Sequence, residues 1–311
     1  MKVFDAAAVH ASLPWPYLIR ALAEAHRAAM PVSDVLVQSD PAGGGDQFIT
    51  LPGWVPGGPI AVKMVGVFPG NEKLSPPQPN VQGLVAMFDG ATGAPLMVAD
   101  GAAMTARKTA GDSALAASLL AREDAAVLLI VGAGALAPHF VAAHMAARPS
   151  LRRVMIWNRT AAKAEIIAQQ MRGDGFDIEA VSDLDAAVAT ADVISCVTMS
   201  DRTLVKGALL KPGTHLDLVG AYMPSLRETD DAALARARIF VDTRRGMDRT
   251  GDLGPALTSG LISADAIVGD HFDLAQGRVE GRRSADEITI FKNVGGAHLD
   301  VFTAIALNNA A

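Results

Sequence analysis

The 311-residue sequence lacks several features that mark whole classes of protein. It contains one cysteine, Cys196, so no intramolecular disulfide can form. No run of about 18 apolar residues occurs, and the amino-terminal residues lack the long apolar segment of a signal peptide. We therefore expect a cytoplasmic protein that neither spans nor binds a membrane.

The sequence also lacks a net positive charge and residues with metal-ligand spacing. The net charge of −6 offers no electrostatic footprint for nucleic acid, and basic residues cluster only as pairs. The seven histidines are dispersed, and none lies in a Cys/His cluster with zinc spacing, so no metal site is predicted. Half of the residues are hydrophobic, which is enough for a sizeable core, and the length favours two domains.

The order of the predicted elements changes along the chain. Residues 15–29 have helical apolar spacing, and residues 31–100 contain short strand-like runs separated by glycine and proline, typical of a mostly antiparallel sheet. An Ala-rich helix is predicted over Thr105–Arg122. Beyond it, strands alternate with helices, which indicates a parallel sheet. The predicted strands are 126–131, 153–157, 177–181, 192–197, 215–219 and 238–242.

The segment "VLLIVGAGALAPHF" has the pattern of a strand, a glycine turn and a helix. Gly132 allows a tight turn, Gly134 lets a pyrophosphate approach the backbone, and Ala137 lets the helix lie close to the strand. The N–H groups at the helix start would bind phosphate. We therefore predict a dinucleotide site at this turn, contacted by Gly132, Gly134, Ala135 and Leu136.

The next strand ends in "WNRT", where NAD-binding proteins carry an acidic residue for the ribose 2′-hydroxyl. Asn158, Arg159 and Thr160 provide no carboxylate that would repel a 2′-phosphate, and the Arg159 guanidinium can pair with one through two N–H groups. This pattern favours NADP(H), with NAD(H) also possible. The alternative is that Arg159 is an ordinary surface residue at a helix start.

Two lysines suggest an anion site in the first part of the chain. Lys63 interrupts the apolar strand "AVKMVGV" and shares a face with Ala61 and Val65, although an exposed edge strand would also explain it. Thr105 is predicted to cap the following helix, which would place Lys108 near the positive end of the helix dipole. An anionic ligand would explain a lysine there, and the predicted ligand group is a carboxylate.

Several segments together resemble the ornithine cyclodeaminase/mu-crystallin family over nearly the whole chain. They are "KMVGVFPGN", "FDGATGAPLMVADGAAMTARKTAGDSALAASLLAR", "VGAGALA", "GTHLDLVGAYMPSLRETD", "VDTRRGMDRTGDL" and "ITIFKNVGGAHLDVFTAIA". The resemblance implies an α/β fold in which a Rossmann-type, doubly wound parallel sheet is inserted in a smaller α+β substrate and dimerisation domain. The implied boundaries are 116–294 for the NADP-binding domain and 1–115 plus 295–311 for the other, with a homodimer as the assembly.

Within this family the chain is most similar to bacterial ketimine reductases. The resemblance implies NADPH-dependent reduction of Δ1-pyrroline-2-carboxylate or Δ1-piperideine-2-carboxylate, small cyclic imino acids, to L-proline or L-pipecolate. Ornithine cyclodeaminase, alanine dehydrogenase and a non-enzymatic NADPH-dependent binder of the mu-crystallin type are the alternatives. Tyr222 stands where cyclodeaminases carry Asp. A phenol with a pKa near ~10 is a poor substitute for a carboxylate base.

The implied roles fall on three groups of residues. Lys63 and Lys108 would bind the substrate carboxylate, with Lys63 also able to keep the imine nitrogen protonated. Asp300 would orient the substrate nitrogen or a water molecule, with an N-cap of the last helix as the slightly favoured alternative. The predicted cofactor contacts that remain are Thr109, Thr198, Met199 and Gly220. Glu228 and Asp230 are expected to be cap or surface residues.

The chain departs from the family pattern at two places. Lys108 stands where the family usually has Arg, and the segment "PVSDVLVQSD" has no Arg where the family tends to carry one. A lysine keeps the charge but loses the bidentate geometry of a guanidinium. The binding of the substrate carboxylate is therefore expected to be weaker or differently arranged.

Overall fold

The computed structural model describes residues 1–310, and its contacts divide the chain into two units. The first unit contains Met1–Thr109 and the segment that begins at Gly295, and the second contains Ala110–Val294. The boundary falls inside the helix α3 (Gly101–Leu120), and the predicted boundary at residue 115 lies further along this helix. Among the described residues, no helix has both the length and the apolar character needed to cross a bilayer.

The first unit is built on a mostly antiparallel sheet, as predicted, with strand order β1-β7-β6-β5-β4-β2 and β3 paired to β4. A short parallel strand at the amino terminus, β1, was not predicted. The strands are β1 (Lys2–Phe4), β2 (Val32–Ser33), β3 (Leu36–Ser39), β4 (Gln47–Trp54), β5 (Ile60–Val67), β6 (Val81–Phe88) and β7 (Pro95–Asp100). Helices α1 (Ala6–Ser12), α2 (Trp15–Ala25) and α10 (Ala297–Ala310) accompany the sheet.

Helix α10 packs against α2, β4 and β5 and is buried along most of its length. Gly53 in β4 makes this approach possible, because a Cβ there would lie 2.4 Å from Cγ2 of Val301. Helix α2 contributes the buried residues Leu18, Ile19 and Leu22 at helical spacing, which follows from its amphipathic sequence. These contacts hold the last helix against the centre of the sheet.

The second unit contains a parallel sheet with strand order β10-β9-β8-β11-β12-β15-β13-β14. The predicted alternation of strands and helices is confirmed. The strands are β8 (Val127–Val131), β9 (Arg153–Trp157), β10 (Ile178–Ala180), β11 (Val193–Cys196), β12 (His215–Leu218), β13 (Ala237–Val241), β14 (Ile267–Asp270) and β15 (Ile288–Lys292). The helices between them are α4 (Ala137–Ala147), α5 (Ala161–Gly173), α6 (Leu184–Thr190), α7 (Asp231–Arg236), α8 (Gly254–Ser259) and α9 (His271–Ala275).

This strand order explains where a ligand would bind in the second unit. The chain runs outward from β8 through β9 to β10, and then returns to the other side of β8 with β11 and β12. Such a reversal creates a crevice at the carboxyl ends of β8 and β11, where open α/β sheets bind dinucleotides. Strand β14 was not predicted, and β15 inserts between β12 and β13.

Two expectations about helix starts were wrong. Helix α3 begins at Gly101 rather than Thr105, and Asp100 Oδ1 accepts from Ala103 N at 2.8 Å, as an N-cap does. The Thr105 hydroxyl donates back to Gly101 O at 2.7 Å, inside the helix. Lys108 therefore lies well inside the helix, and the helix dipole does not explain it. Asp300 lies in the first turn of α10 and is not its N-cap.

Candidate active site

A cluster of two lysines and one aspartate forms in the first unit. Lys63 lies on β5, which pairs with β4 on one side and β6 on the other, so Lys63 is not on an edge strand. Its face of the strand is the buried one, shared with Ala61 and Val65 as predicted. Lys63 Nζ donates to Thr105 Oγ1 at 2.6 Å and lies 3.9 Å from Asp300 Oδ1.

Lys108 approaches the same aspartate from α3. Its Nζ donates to Asp300 Oδ2 at 2.6 Å and to Gly295 O at 2.9 Å. Lys63, Lys108 and Asp300 are only 9%, 3% and 1% exposed. Two ammonium groups face one carboxylate in a buried setting, so one positive charge is left over. An anionic group of a ligand would balance it.

Burial changes the acidity of Lys63. The pKa of its ammonium is lowered to about 8, chiefly by desolvation and also by the positive charge of Lys108, while Asp300 acts in the opposite direction. A lysine with this pKa carries a proton at neutral pH and releases it more readily than an exposed lysine. Thr109, which follows Lys108 in α3, is buried, and its predicted cofactor contact stays a prediction.

The glycine turn after β8 has the expected geometry. Gly132 has a φ of +116°, and a Cβ there would lie 2.8 Å from Val197 O, so this position requires glycine. A Cβ on Gly134 would meet no atom within 4 Å, so the turn is open where a pyrophosphate would approach. Helix α4 starts at the fully buried Ala137 and has no side-chain cap, which leaves N–H groups for an anion.

Asn158 holds this turn in place. Its Oδ1 accepts from Ala133 N at 3.2 Å, and its Nδ2 donates to Thr160 O at 3.0 Å. The side chain therefore joins the glycine turn to the start of α5. In this structure both ends of the Asn158 amide are used for that purpose.

A cavity of about 400 Å³ opens at the carboxyl ends of β8, β9 and β11. It is lined by Gly132, Ala133, Gly134, Trp157, Asn158, Arg159, Thr160, Lys163, Val197, Thr198, Met199, Ser200, Asp201 and Leu204. Seven predicted cofactor contacts lie in this lining: Gly132, Gly134, Asn158, Arg159, Thr160, Thr198 and Met199. Ala135, Leu136 and Gly220 are not part of it, and their cofactor contacts stay predictions.

Two cationic side chains line the cavity. Arg159 and Lys163 are exposed, and neither forms a salt bridge within residues 1–310. Lys163, on the first turn of α5, was not predicted, although its spacing of four residues from Arg159 places both on one side of a helix start. The Thr160 side chain makes no capping hydrogen bond, so its hydroxyl is available to a ligand.

Glu228 is not a surface residue, which corrects that expectation. It is fully buried, and its carboxylate accepts hydrogen bonds from Thr198 and from the backbone after β12. No sequence motif indicated this role. Asp230 is a cap, as expected, because its side chain accepts from Ala233 N at 3.0 Å in α7.

Comparisons with known proteins agree with this architecture. The model of the ornithine cyclodeaminase/mu-crystallin family matches residues 28–311. A Delta(1)-pyrroline-2-carboxylate reductase from Paracoccus denitrificans is 40% identical over 294 residues, covering 94% of this chain and 91% of that protein. Protein SAR DEFICIENT 4 from Arabidopsis thaliana is 41% identical over 249 residues, covering 79% and 76%.

Solved structures give the same result. The iminosuccinate reductase of Paracoccus denitrificans in complex with NAD⁺ superposes with a TM-score of 0.91 at 26% identity, covering 100% of this chain and 96% of that one. The Delta(1)-pyrroline-2-carboxylate reductase of Thermococcus litoralis, in complex with NADH and L-proline, has a TM-score of 0.89 at 25% identity, covering 100% and 97%. The chain therefore belongs to the ornithine cyclodeaminase/mu-crystallin family.

Proposed function

We propose that this protein is a nicotinamide-dependent oxidoreductase that reduces the C=N bond of a small imino acid. The finer proposal is the reduction of Δ1-pyrroline-2-carboxylate or Δ1-piperideine-2-carboxylate to L-proline or L-pipecolate with NADPH. The lysine cluster carries this proposal, because its buried excess positive charge suits a carboxylate next to an imine nitrogen. Relatives named as pyrroline-2-carboxylate reductases support it.

In the proposed reaction, three residues of this chain have distinct roles. A nicotinamide coenzyme, when bound, would supply the hydride for the imine carbon. Lys108, held by Asp300, binds the substrate carboxylate. Lys63 donates a proton to the imine nitrogen, so that the C=N bond becomes CH–NH, and it then regains a proton from water. The lowered pKa of Lys63 suits this transfer, because a general acid works best with a pKa near the working pH.

NADPH is proposed over NADH because of the cationic side chains that line the cavity. Arg159, Thr160 and Lys163 would receive a 2′-phosphate, and they lie where NAD-binding proteins present a carboxylate. The acidic Asp201 also lines the cavity, and its Oδ1 lies 3.9 Å from Nε of Arg202. Three of the solved neighbours carry NAD, NAD⁺ or NADH. The proposal of NADPH therefore rests on the residues of this chain and not on those neighbours.

A panel of substrates tests the proposed function. Both cyclic imines, pyruvate with ammonia or methylamine, and ornithine are each supplied with NADPH and with NADH. We expect imine-dependent oxidation of NADPH and formation of the L-amino acid. Ammonia release from ornithine without net NADPH oxidation would indicate a cyclodeaminase, and NADH formation from alanine with NAD⁺ would indicate an alanine dehydrogenase. Cofactor binding without turnover of any compound would indicate a binder.

A homodimer is proposed from the outer face of the first sheet. Leu36, Phe48, Trp54 and Leu84 are exposed, and the strand register places them on the face opposite Lys63. An exposed apolar sheet face of this kind commonly marks an interface. A structural neighbour, an archaeal alanine dehydrogenase with a TM-score of 0.89, is described as a dimer. Light scattering coupled to gel filtration should give twice the 32.2 kDa chain mass, and a monomer mass would contradict the proposal.

A further inference from the structure

A buried carboxylate that the proposed chemistry does not use lies behind the cofactor cavity. Glu228 is 0% exposed, and four hydrogen-bond donors converge on it. Its Oε1 accepts from Thr198 N and Thr198 Oγ1, both at 2.8 Å. Its Oε2 accepts from Gly220 N at 2.8 Å and from Ala221 N at 3.3 Å.

These donors belong to the segments that follow β11 and β12. Thr198 lines the cavity, and a Cβ on Gly220 would lie 1.5 Å from Thr198 O, so the two segments are in direct contact. On the other side, Gly132 lies close to Val197 O, since a Cβ there would be 2.8 Å away. The Thr198 backbone is therefore enclosed on both sides. The Glu228 carboxylate holds it in place through the hydrogen bonds from Thr198.

Glu228 is itself held by a second buried pair. Its N–H donates to Asp252 Oδ1 at 2.8 Å, and Lys292 Nζ donates to Asp252 Oδ2 at 3.0 Å. All three residues are 0% exposed. The pKa of Glu228 is raised to about 7, chiefly by burial and also by the charge of Asp252, while Lys292 acts in the opposite direction. The donors on both oxygens favour the ionised form, since a carboxylate is an acceptor only.

We propose that Glu228 is a positioning residue for the cofactor. By holding Thr198 and Gly220 at the carboxyl ends of adjacent strands, its carboxylate sets the affinity of the cavity for the nicotinamide coenzyme. This inference rests on the proposed use of such a coenzyme but not on the identity of the imine. A neutral amide cannot replace the carboxylate, because its NH₂ group would face at least one N–H donor.

The test is the variant Glu228→Gln, in which only one oxygen becomes an NH₂ group. NADPH is titrated into the protein without imine, and the separate KM values for NADPH and imine are measured. We expect the Kd for NADPH to rise by about 10–100-fold, because a buried donor is left unsatisfied. The KM for the imine should change by less than the KM for NADPH.

Asp230→Asn is the matched control, because Asp230 lies two residues away and caps α7 without touching the cavity lining. It should leave the Kd for NADPH unchanged and the Tm close to that of wild type, because asparagine caps a helix about as well as aspartate. A folded Glu228→Gln variant with wild-type Kd overturns the proposal, as does wild-type protein that binds neither NADPH nor NADH. If Glu228→Gln does not fold, Glu228→Asp keeps the charge but is too short to reach both segments, and wild-type Kd in that variant overturns the proposal.

The two proposals can fail separately. If wild-type protein binds NADPH but reduces no imine, the proposed reaction is wrong, while the Kd comparison still decides the role of Glu228. If the imine is reduced and Glu228→Gln binds NADPH normally, the reaction stands and the positioning role is wrong.

Discussion

The two units both present pairs of cations, but in opposite environments. In the first unit Lys63 and Lys108 are buried, share one carboxylate, and lie among apolar strands and helices. In the second unit Arg159 and Lys163 are exposed to water and line a cavity. Burial amplifies electrostatic effects, whereas exposed charges are screened. The first pair is suited to proton transfer and anion capture, and the second to selecting a ligand.

The largest effect is expected from Lys63→Met, which removes the proposed proton donor. The kcat/KM for the imine should fall by about 10²–10⁴-fold, with an unchanged Kd for NADPH. The folded-state pKa of about 8 lies below the ordinary value of 10.5. The charged lysine therefore destabilises the fold at pH values below about 8, and this effect fades as the pH rises from about 8 to 10.5. The Tm of Lys63→Met at neutral pH should therefore be no lower than that of wild type.

The exposed Lys73 provides the matched control for this variant. Lys73→Met should leave kcat/KM within about twofold of wild type, as surface substitutions usually do. Wild-type turnover in Lys63→Met would remove Lys63 from the reaction.

Asp300→Asn should give the next largest effect, on stability. It leaves two buried ammonium groups beside each other without a countercharge, and breaking a buried ion pair in this way costs about 3–5 kcal/mol. The free energy of unfolding, measured by urea denaturation, should fall by this amount. Asp34→Asn, an exposed acid of the same unit, should change it by less than about 1 kcal/mol. An equal effect of both variants would mean that the lysine cluster is not a buried charge site.

A smaller effect is expected at the exposed cations. Arg159→Ala and Lys163→Ala should each lower kcat/KM for NADPH by about 10–100-fold, the size of a lost charge-assisted hydrogen bond, and leave kcat/KM for NADH unchanged. Arg152→Ala, also exposed but at the opposite end of β9, is the control and should change neither value. Equal losses with both cofactors would contradict a 2′-phosphate site.

The smallest effect is a displacement of the pH profile. Lys63 acts in its protonated form, so kcat/KM should fall as the pH rises through about 8. Lys108→Met removes a positive neighbour that lowers the pKa of Lys63, and this descending limb should move to higher pH by about one unit. The measurement is kcat/KM for the imine from pH 6 to ~10. If the descending limb of Lys108→Met lies at the same pH as that of wild type, the two ammonium groups do not interact.

The two units also differ in how far their sites follow from sequence. The glycine turn and Arg159 are local features, confined to a strand, a turn and the next helix start, and the alternation of strands placed them at one sheet edge. Lys163 could have been predicted from its spacing of four residues from Arg159. The short strand β14 has no local sequence pattern of this kind, and it was not predicted.

The lysine cluster required information that local patterns do not contain. Lys108 and Asp300 are 192 positions apart, and only the contact of α10 with the sheet explains why they meet. The helix start was misplaced because Asp100, which ends β7, accepts from Ala103 N in the first turn, while Thr105 resembles a cap in sequence. Glu228 was missed because three of its four donors are backbone N–H groups, which leave no trace in residue identity.

The position of Lys63 on an interior strand also restricts how this chain can change in length. Successive side chains of β5 point to opposite faces, and β4 and β6 fix its register from both sides. Deleting or inserting one residue between Ile60 and Lys63 would turn the ammonium group away from Asp300. Viable length variants should therefore be found in the connections between strands, such as the exposed segment at 71–80, and not within the strands themselves.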